Sequence, residues 1–420
     1  MNILFLVPYV PTLIRTRSYN LIRFLARSGH SVTLATLWEK EAECHELNNL
    51  VCMGIRVISV PLTKGRSALN MLRALVAGTP LQASYCWQPA LAQQIGERLA
   101  TGSSPYDIIH VEHLRGARYG LHIQSAIRPQ QSKIPVVWDS VDCISLLFEQ
   151  AGRNSRSRFG RWISRFELER TRRYEAWLLD QFDQVLVTSP VDRAALEQLH
   201  ALRLTQYSPR STSNVPPHIT VLSHGVDLTY FTPNYGSRFP DTILLTGKMS
   251  YHANVTAALY LVTDIMPRVW ALKPEVKVAI VGSMPPREVK ELAQRHAPRV
   301  TVTGYVPDIR PHLWSATVAV APVPYGAGIQ IKVLEAMACA APVVATPSAV
   351  SALTARAGED FLVAGTPEDF AAALLRLLDD NTFCARLGAQ GRRYVAEHHD
   401  WNSIGRQLEE IYVGLTCTTH

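Results

Sequence analysis

Short apolar runs alternate with helical patterns along nearly the whole chain, and that rhythm restricts it to parallel sheets covered by helices. The first run, Ile3 to Val10, reads Ile-Leu-Phe-Leu-Val before Pro8 and predicts a buried strand over Asn2–Val7. A polar loop follows, then a helix around Tyr19–Ser28 that Gly29 stops. Ser31–Leu37 is the next strand, which completes a β-α-β unit at the N-terminus. Further strands are predicted at Arg56–Val60, Ile108–Val111, Val136–Asp139, Gln184–Thr188 and Thr220–Leu222, with helices at Ala90–Leu99 and roughly Phe166–Leu179. Polar residues from Ser208 to Pro217 predict a surface loop.

The pattern then restarts. Strands are predicted at Thr242–Thr246, Val276–Val281, Val300–Thr303, Val318–Val323 and Val343–Thr346, with helices at Asn254–Trp270 and Pro286–His296. Two successive α/β sets in 420 residues predict two doubly wound domains of about 200 residues each. The expected division is 1–235, then 236–400, with 401–420 a final helix that begins near Trp401 and returns to the N-terminal domain. Ligands of such sheets bind beyond the carboxyl ends of the strands, which places the expected ligand in a cleft between the domains.

Composition narrows the function classes. The net charge of +7 suits anionic substrates, an anionic membrane face or nucleic acid, or simply solubility, and no recognisable nucleic-acid reader motif accompanies it. The seven cysteines are scattered without a Cys-x-x-Cys pair, which argues against a disulfide framework and a structural zinc site. The first apolar run is too short to span a membrane, and no later run reads as a spanning helix. A cytoplasmic enzyme is expected, with peripheral membrane association left open.

The stretch Val318 to Thr346 carries the chemistry. A strand ends at Val323, a loop runs Pro324-Tyr325-Gly326-Ala327-Gly328-Ile329-Gln330, and a helix follows through Lys332, Glu335 and Ala338. Two glycines before a helix let the backbone approach a ligand, and the helix start offers free N–H groups and partial positive charge. Lys332 and Glu335 are three apart and share a helix face, where a cation meets phosphate and a carboxylate meets a vicinal diol. That combination suits a nucleotide diphosphate. Plain turn chemistry is the competing reading.

The segment Gly326-Ala327-Gly328-Ile329-Gln330-Ile331-Lys332-Val333-Leu334-Glu335-Ala336-Met337-Ala338, with Pro342-Val343-Val344-Ala345-Thr346, resembles the donor-site signature of glycosyltransferase family 4. Other likenesses follow in order: Pro8-Tyr9-Val10-Pro11, Gly29-His30-Ser31-Val32, His224-Gly225-Val226-Asp227 with Phe231-x-Pro233, Thr246-Gly247-Lys248-Met249, Gly304-Tyr305-Val306-x-Asp308 and Trp401. The resemblance implies the GT-B architecture, two Rossmann-like domains facing across a cleft. It also implies transfer of a sugar from a UDP- or GDP-linked donor with retention of configuration and without a metal ion or other cofactor. The acceptor it leaves open is a saccharide, a lipid-linked glycan or a small molecule. By that resemblance Glu335 meets the donor ribose, Lys332 and Lys248 meet the diphosphate, and Gly247, Gly326, Gly328 and Ile329 line the phosphates or donor sugar. Two departures stand out. Ala327 replaces the family's first motif glutamate, and Thr12-Leu13-Ile14-Arg15-Thr16-Arg17 lacks the usual glycine pair, so that Arg15 and Arg17 are left to reach anionic groups by charge. A nucleotide-sugar epimerase of similar fold and a catalytically impaired binding subunit are the alternatives.

In the first domain, His113 follows Glu112 at a predicted strand end and either meets the donor sugar, handles a proton, or is a hydrogen-bonded loop histidine. His110 is expected in the core. Asp142, with Asp139 as competitor, is a candidate base or acceptor-binding carboxylate, against a helix-capping role. Lys332 joins His113 and Asp142 as a catalytic candidate. Arginines at 153, 156, 158, 161, 165, 170, 172 and 173 interleave with Phe159, Trp162 and Phe166. This reads either as a surface for anionic lipid or as a solvated helix with its aromatics turned to the core. His398-His399-Asp400 is expected at a helix terminus rather than on a metal.

Overall fold

The computed structural model describes residues 1–13, 15–99, 106–127, 134–154, 158–203, 217–234, 236, 238, 240–324 and 328–418. The expected loop from 208 falls outside these up to residue 216, as do Arg156 and the loop residues Tyr325, Gly326 and Ala327. The chain divides into two units, Met1–Ser223 with Trp401–His420, and His224–Asp400. The division therefore comes at Ser223, earlier than the 235 expected.

The first unit is built on seven strands: β1 (Asn2–Val7), β2 (Ser31–Trp38), β3 (Arg56–Pro61), β4 (Ile108–Glu112), β5 (Val136–Val141), β6 (Gln184–Val187) and β7 (Ile219–Val221). They pair in parallel in the order β3-β2-β1-β4-β5-β6-β7. In β1 every residue after Asn2 is buried, as a central strand covered on both faces requires. The helix Thr16–Arg27 buries Leu21, Ile22 and Leu25 and gives way at Gly29, whose φ of 86° lies in the left-handed region.

The last helix, Trp401–Thr418, belongs to this unit because Gly405 has no side chain. A Cβ there would meet the Phe24 ring at 2.3 Å, so the glycine lets the helix lie close on Thr16–Arg27. Ile404, Leu408 and Tyr412 are buried by this contact, and the Tyr412 hydroxyl bonds His110 Nδ1 at 2.8 Å. His110 is core, as expected, and stacks on Phe5.

The second unit repeats the plan with β8 (Thr242–Thr246), β9 (Lys277–Val281), β10 (Val300–Val302), β11 (Val318–Ala321), β12 (Val343–Ala345) and β13 (Leu362–Val363), in the parallel order β10-β9-β8-β11-β12-β13. Both orders are those of a Rossmann-like sheet. The helical run His252–Leu272 corrects one expectation. With a mean hydropathy of 1.3 it is long and apolar enough by composition to cross a membrane. It is half buried in this unit, where Ala258, Leu261, Val262, Ile265 and Val269 fill the core.

Several helices were not anticipated, among them Glu41–Cys52 and Lys64–Ala77. The second carries its apolar residues on the solvent side: Leu69, Leu72, Leu75 and Val76 are exposed, while Ser67, Asn70 and Ala74 face inward. The arginine-rich segment forms the helices Ile144–Asn154 and Arg158–Leu178. Its aromatics do not all face the core. Trp162 is 61% exposed and stacks on Phe166, which lies under the Arg170 guanidinium.

One ion pair is buried where the first sheet's strands end. Arg17 Nε donates to Asp139 Oδ2 at 2.8 Å, and both side chains are shielded from solvent. Removing one member leaves an uncompensated buried charge. Asp139→Ala is therefore expected to lower stability by about 3–5 kcal/mol. Equilibrium urea unfolding measures this, and a midpoint equal to the parent's would show the pair to be dispensable.

Candidate functional site

In the second unit the strand order reverses between β8 and β11, so the loops leaving these strands flank the switch point where such sheets bind ligands. Gly247 follows β8 with φ 145°. A Cβ on Gly282, at the end of β9, would come within 1.8 Å of the Gly247 carbonyl oxygen, and one on Gly247 within 2.8 Å of Asn254 Nδ2. These two glycines let the strand ends close up and bring Asn254 beneath the loop. Asn254 is buried and forms a bridge. Its Nδ2 donates to the Lys248 carbonyl at 2.9 Å, and its Oδ1 accepts from the Lys332 ammonium. The Lys248 side chain is exposed.

The loop after β11 is pinned where it begins. Thr346 Oγ1 and Ser348 Oγ both donate to the Val323 carbonyl, each at 2.6 Å. Gly326 is outside the described residues. Gly328 is buried with φ 75°, a left-handed conformation that suits glycine. Ile329 packs on the apolar core below it. The helix Ile331–Ala338 starts without a side-chain cap on Gln330, which leaves its first amides available to an anion.

Lys332 and Glu335 sit one turn apart on that helix, both half-buried. Burial lowers Lys332 to about 8, against the opposing pull of Glu335. Burial raises Glu335 to about 7, against Lys332. A cation tied to one loop, a carboxyl one turn on and an uncapped helix start can together hold two linked phosphates and a diol.

In the first unit the order reverses between β1 and β4. Two residues other than glycine take left-handed backbone at adjacent strand ends: His113 after β4, with φ 67°, and Val141 ending β5, with φ 68°. Each such residue costs of order 1–2 kcal/mol, and strain of this kind concentrates where side chains must be aimed. His113 Nδ1 accepts from the Arg115 N–H at 3.3 Å. Burial lowers its imidazole to about 3, so it is neutral and presents Nε2 as a donor.

Asp142 accepts from Thr188 Oγ1 at 3.3 Å. Burial and then the Asp192 carboxylate raise it to about 7. Asp139 differs. Burial would raise it, but Arg17 and His110 outweigh that and hold it at about 2. The two aspartates are thus separated by environment: Asp139 is a buried structural anion, and Asp142 a carboxyl poised near neutrality.

The two arginines of the first loop also part. Arg17 is committed to Asp139 and to the Ser223 carbonyl, with only Nη2 lacking a partner among the described residues. Arg15 stays half-exposed, over the Tyr9 ring and 3.6 Å from Glu43. Glu112 was not singled out as a site residue. It accepts from the Tyr9 hydroxyl, and its Oε2 is buried without a partner among the described residues. Burial and Asp139 raise it to about 7. Its position beside His113 was the available signal. The His398-His399-Asp400 trio is a helix end, where His399 bonds the His224 carbonyl and the Tyr394 hydroxyl.

Comparisons with known proteins follow the same division. Residues 14–206 match the "glycosyl transferase 4-like domain", and residues 240–380 match "glycosyl transferases group 1". A GDP-mannose-dependent monoacylated alpha-(1-6)-phosphatidylinositol monomannoside mannosyltransferase of Corynebacterium glutamicum is 30% identical over 156 residues, 35% of this chain. The match spans only 41% of that curated relative. Among solved structures, the sucrose-phosphate synthase of Thermosynechococcus elongatus aligns over 100% of both chains with a TM-score of 0.66 and 19% identity. The Anabaena protein HepE in complex with UDP and glucose aligns over 99% of this chain and 100% of its own, with a TM-score of 0.63 and 15% identity. At these identities the likeness is one of fold, and the fold is GT-B.

Asn254 is the residue that aims Lys332. Asn254→Ala is expected to weaken binding of inorganic pyrophosphate by about tenfold, the scale of one charge-assisted bond. Calorimetric titration checks this, and equal affinity in the variant would remove Asn254 from the site.

Proposed function

We propose, for a chain that belongs to the group 1 glycosyl transferases with a glycosyl transferase 4-like N-terminal domain, that its second unit binds a nucleotide-diphosphate sugar and that the sugar passes to an acceptor with retention of anomeric configuration. The observation that carries this reading is the set Lys248, Asn254, Lys332 and Glu335 at the switch point of the second sheet. A UDP- or GDP-linked donor fits. HepE was solved with UDP, and the curated relative is GDP-mannose-dependent.

In this mechanism the bond between the anomeric carbon and the diphosphate oxygen breaks as an acceptor hydroxyl adds. Negative charge grows on the leaving diphosphate. Lys332, Lys248 and the start of the helix Ile331–Ala338 meet that charge, a preorganised stabilisation that requires no metal ion. Gly247, Gly328 and Ile329 allow the backbone to approach the phosphates and donor sugar, and Glu335 receives the ribose hydroxyls. His113, as a neutral donor, hydrogen-bonds the transferred sugar. Asp142 receives the acceptor hydroxyl and its proton, and Arg15 meets anionic groups by charge.

A peripheral site at an anionic membrane face belongs to the same proposal. The helix Lys64–Ala77 exposes Leu69, Leu72, Leu75 and Val76, the helix Arg158–Leu178 exposes Trp162 and Phe166, and Leu81, past the end of the first, donates its N–H to Glu167 on the second at 2.8 Å. Arg73, Arg165 and Arg173 stand exposed on the same helices. Apolar residues beside arginines suit insertion among anionic headgroups. Leu72→Ser with Trp162→Ser is expected to reduce co-sedimentation with phosphatidylglycerol vesicles while nucleotide binding is retained. Undiminished sedimentation would remove this surface from the proposal.

Lys332→Ala is expected to lower turnover by about a hundredfold or more, and Glu335→Ala to weaken nucleotide binding. The pH dependence follows from the two shifted groups. Below about 7 Glu335 takes a proton and stops accepting from a diol, and above about 8 Lys332 loses its charge. The profile of kcat/KM for the donor is therefore expected to fall on both sides of that narrow window. Lys332→Arg keeps the cation and should remove the alkaline limb. A profile flat from pH 6 to about 9 would sink the assignment of both residues.

A further inference from the structure

A cavity of about 310 Å³ opens in the first unit where β2 and β3 end. Trp38 is the last residue of β2 and Pro61 the last of β3, and both line it. Because the strands are parallel, this is the same edge of the sheet that carries Glu112, His113 and Asp142. The volume lies at the small end of the range for ligand pockets, roughly 300–1,000 Å³, and suits a single sugar-sized ring.

Its chemistry is mixed in a specific way. The Tyr85 hydroxyl donates to Glu39 Oε1 at 3.2 Å, which fixes a phenol and a carboxylate side by side on the wall. Trp38 adds a half-buried indole. Lys40 and Lys64 bring two ammonium groups, and among the described residues neither has a carboxylate within ion-pair distance. Glu43, in the first turn of the following helix, is engaged elsewhere. One oxygen accepts from the Glu39 and Lys40 amides, and the other lies 3.6 Å from Arg15. Against Glu39, the one carboxylate of the lining, the two lysines leave the cavity wall net positive.

Each component excludes a simpler ligand. An inorganic anion would use the lysines and ignore the aromatic faces. A neutral sugar would use the rings and Glu39 and leave both lysines unmatched. A polyhydroxylated ring that bears a phosphate uses all of them: its C–H face lies on the aromatics, a hydroxyl donates to Glu39, and the phosphate meets the lysines. We propose that this cavity is the acceptor subsite and that the acceptor is a phosphorylated polyol ring, either a free sugar phosphate or the phosphoinositol headgroup of a lipid. The proposal rests on the reading of the chain as a sugar transferase.

The test uses the full chain and the double variant Lys40→Ala with Lys64→Ala, both at exposed positions. Saturation-transfer NMR titrations compare glucose 6-phosphate, glucose and inorganic phosphate. Sedimentation with phosphatidylcholine vesicles, with and without phosphatidylinositol, provides the lipid arm. Glucose 6-phosphate should bind the parent at least about tenfold more tightly than glucose or phosphate, and the double variant should lose about tenfold or more of that affinity. A phosphatidylinositol-dependent gain in sedimentation that the double variant loses, without capture of glucose 6-phosphate, identifies the lipid as the source and supports the same subsite. Equal binding by parent and variant, phosphate binding as tight as glucose 6-phosphate, or failure of both arms overturns it. UDP and GDP affinity unchanged in the double variant shows that it is folded. A failure of the donor reading would appear separately, as nucleotide binding that Glu335→Ala leaves intact.

Discussion

Parallel strand pairing is the constraint from which the rest of this protein follows. In both sheets every pairing among the described residues is parallel, so all strands of a sheet leave it at one edge. The side chains that matter are those on the first residues past that edge, and in each unit the edge opens where consecutive connections run to opposite sides. Gly247 and Lys248 leave β8, Val323 leaves β11, Tyr9 leaves β1 and His113 leaves β4. The backbone at these exits is shaped for close approach or for aiming, as Gly282 against the Gly247 carbonyl and the left-handed His113 and Val141 show.

Burial at that edge tunes the titrating groups. Glu112, Asp142 and Glu335 are all raised to about 7 by burial, although the first two stand in one unit and the third in the other. Asp139, fully buried, goes the other way because Arg17 lies 2.8 Å from it. The difference lies in whether a cation makes direct ion-pair contact with the carboxylate. Where one is fixed, the carboxylate is structural. Where none is fixed, the carboxyl can respond to what binds.

Much of this was legible in the sequence, and for a clear reason. Strand runs such as Asn2–Val7 and Thr242–Thr246 are buried on both faces, and their continuous apolar character marks them without tertiary information. Lys332 and Glu335 could be placed on one face because three residues on a helix set that geometry locally. Asn254 could not be found this way. Its partners lie six residues back and 78 residues on, and only the fold brings them together. The orientation of Trp162 and of Leu72 was hidden for a related reason. Periodicity shows that a helix has two faces, but which face meets the protein depends on neighbours distant in sequence. Arg15 and Arg17 looked equivalent as two cations in one loop until Asp139, 122 residues from Arg17, distinguished them.

The two units divide the electrostatic work unequally. In the second, the half-buried ammonium at the switch point is held by a side-chain amide: Lys332 by Asn254 Oδ1, with no carboxylate in direct contact among the described residues. An ammonium held by a neutral oxygen keeps its charge available to an incoming anion, whereas one locked to a carboxylate must first break an ion pair. In the first unit the buried charge follows the opposite rule, since Arg17 is neutralised by Asp139 and supports the fold. The exception there is the cavity at the ends of β2 and β3, whose Lys40 and Lys64 have no ion-pair partner among the described residues. Cations without a direct ion pair among the described residues thus occur beyond the carboxyl ends of strands in both sheets. That pattern suits an anionic ligand in each unit.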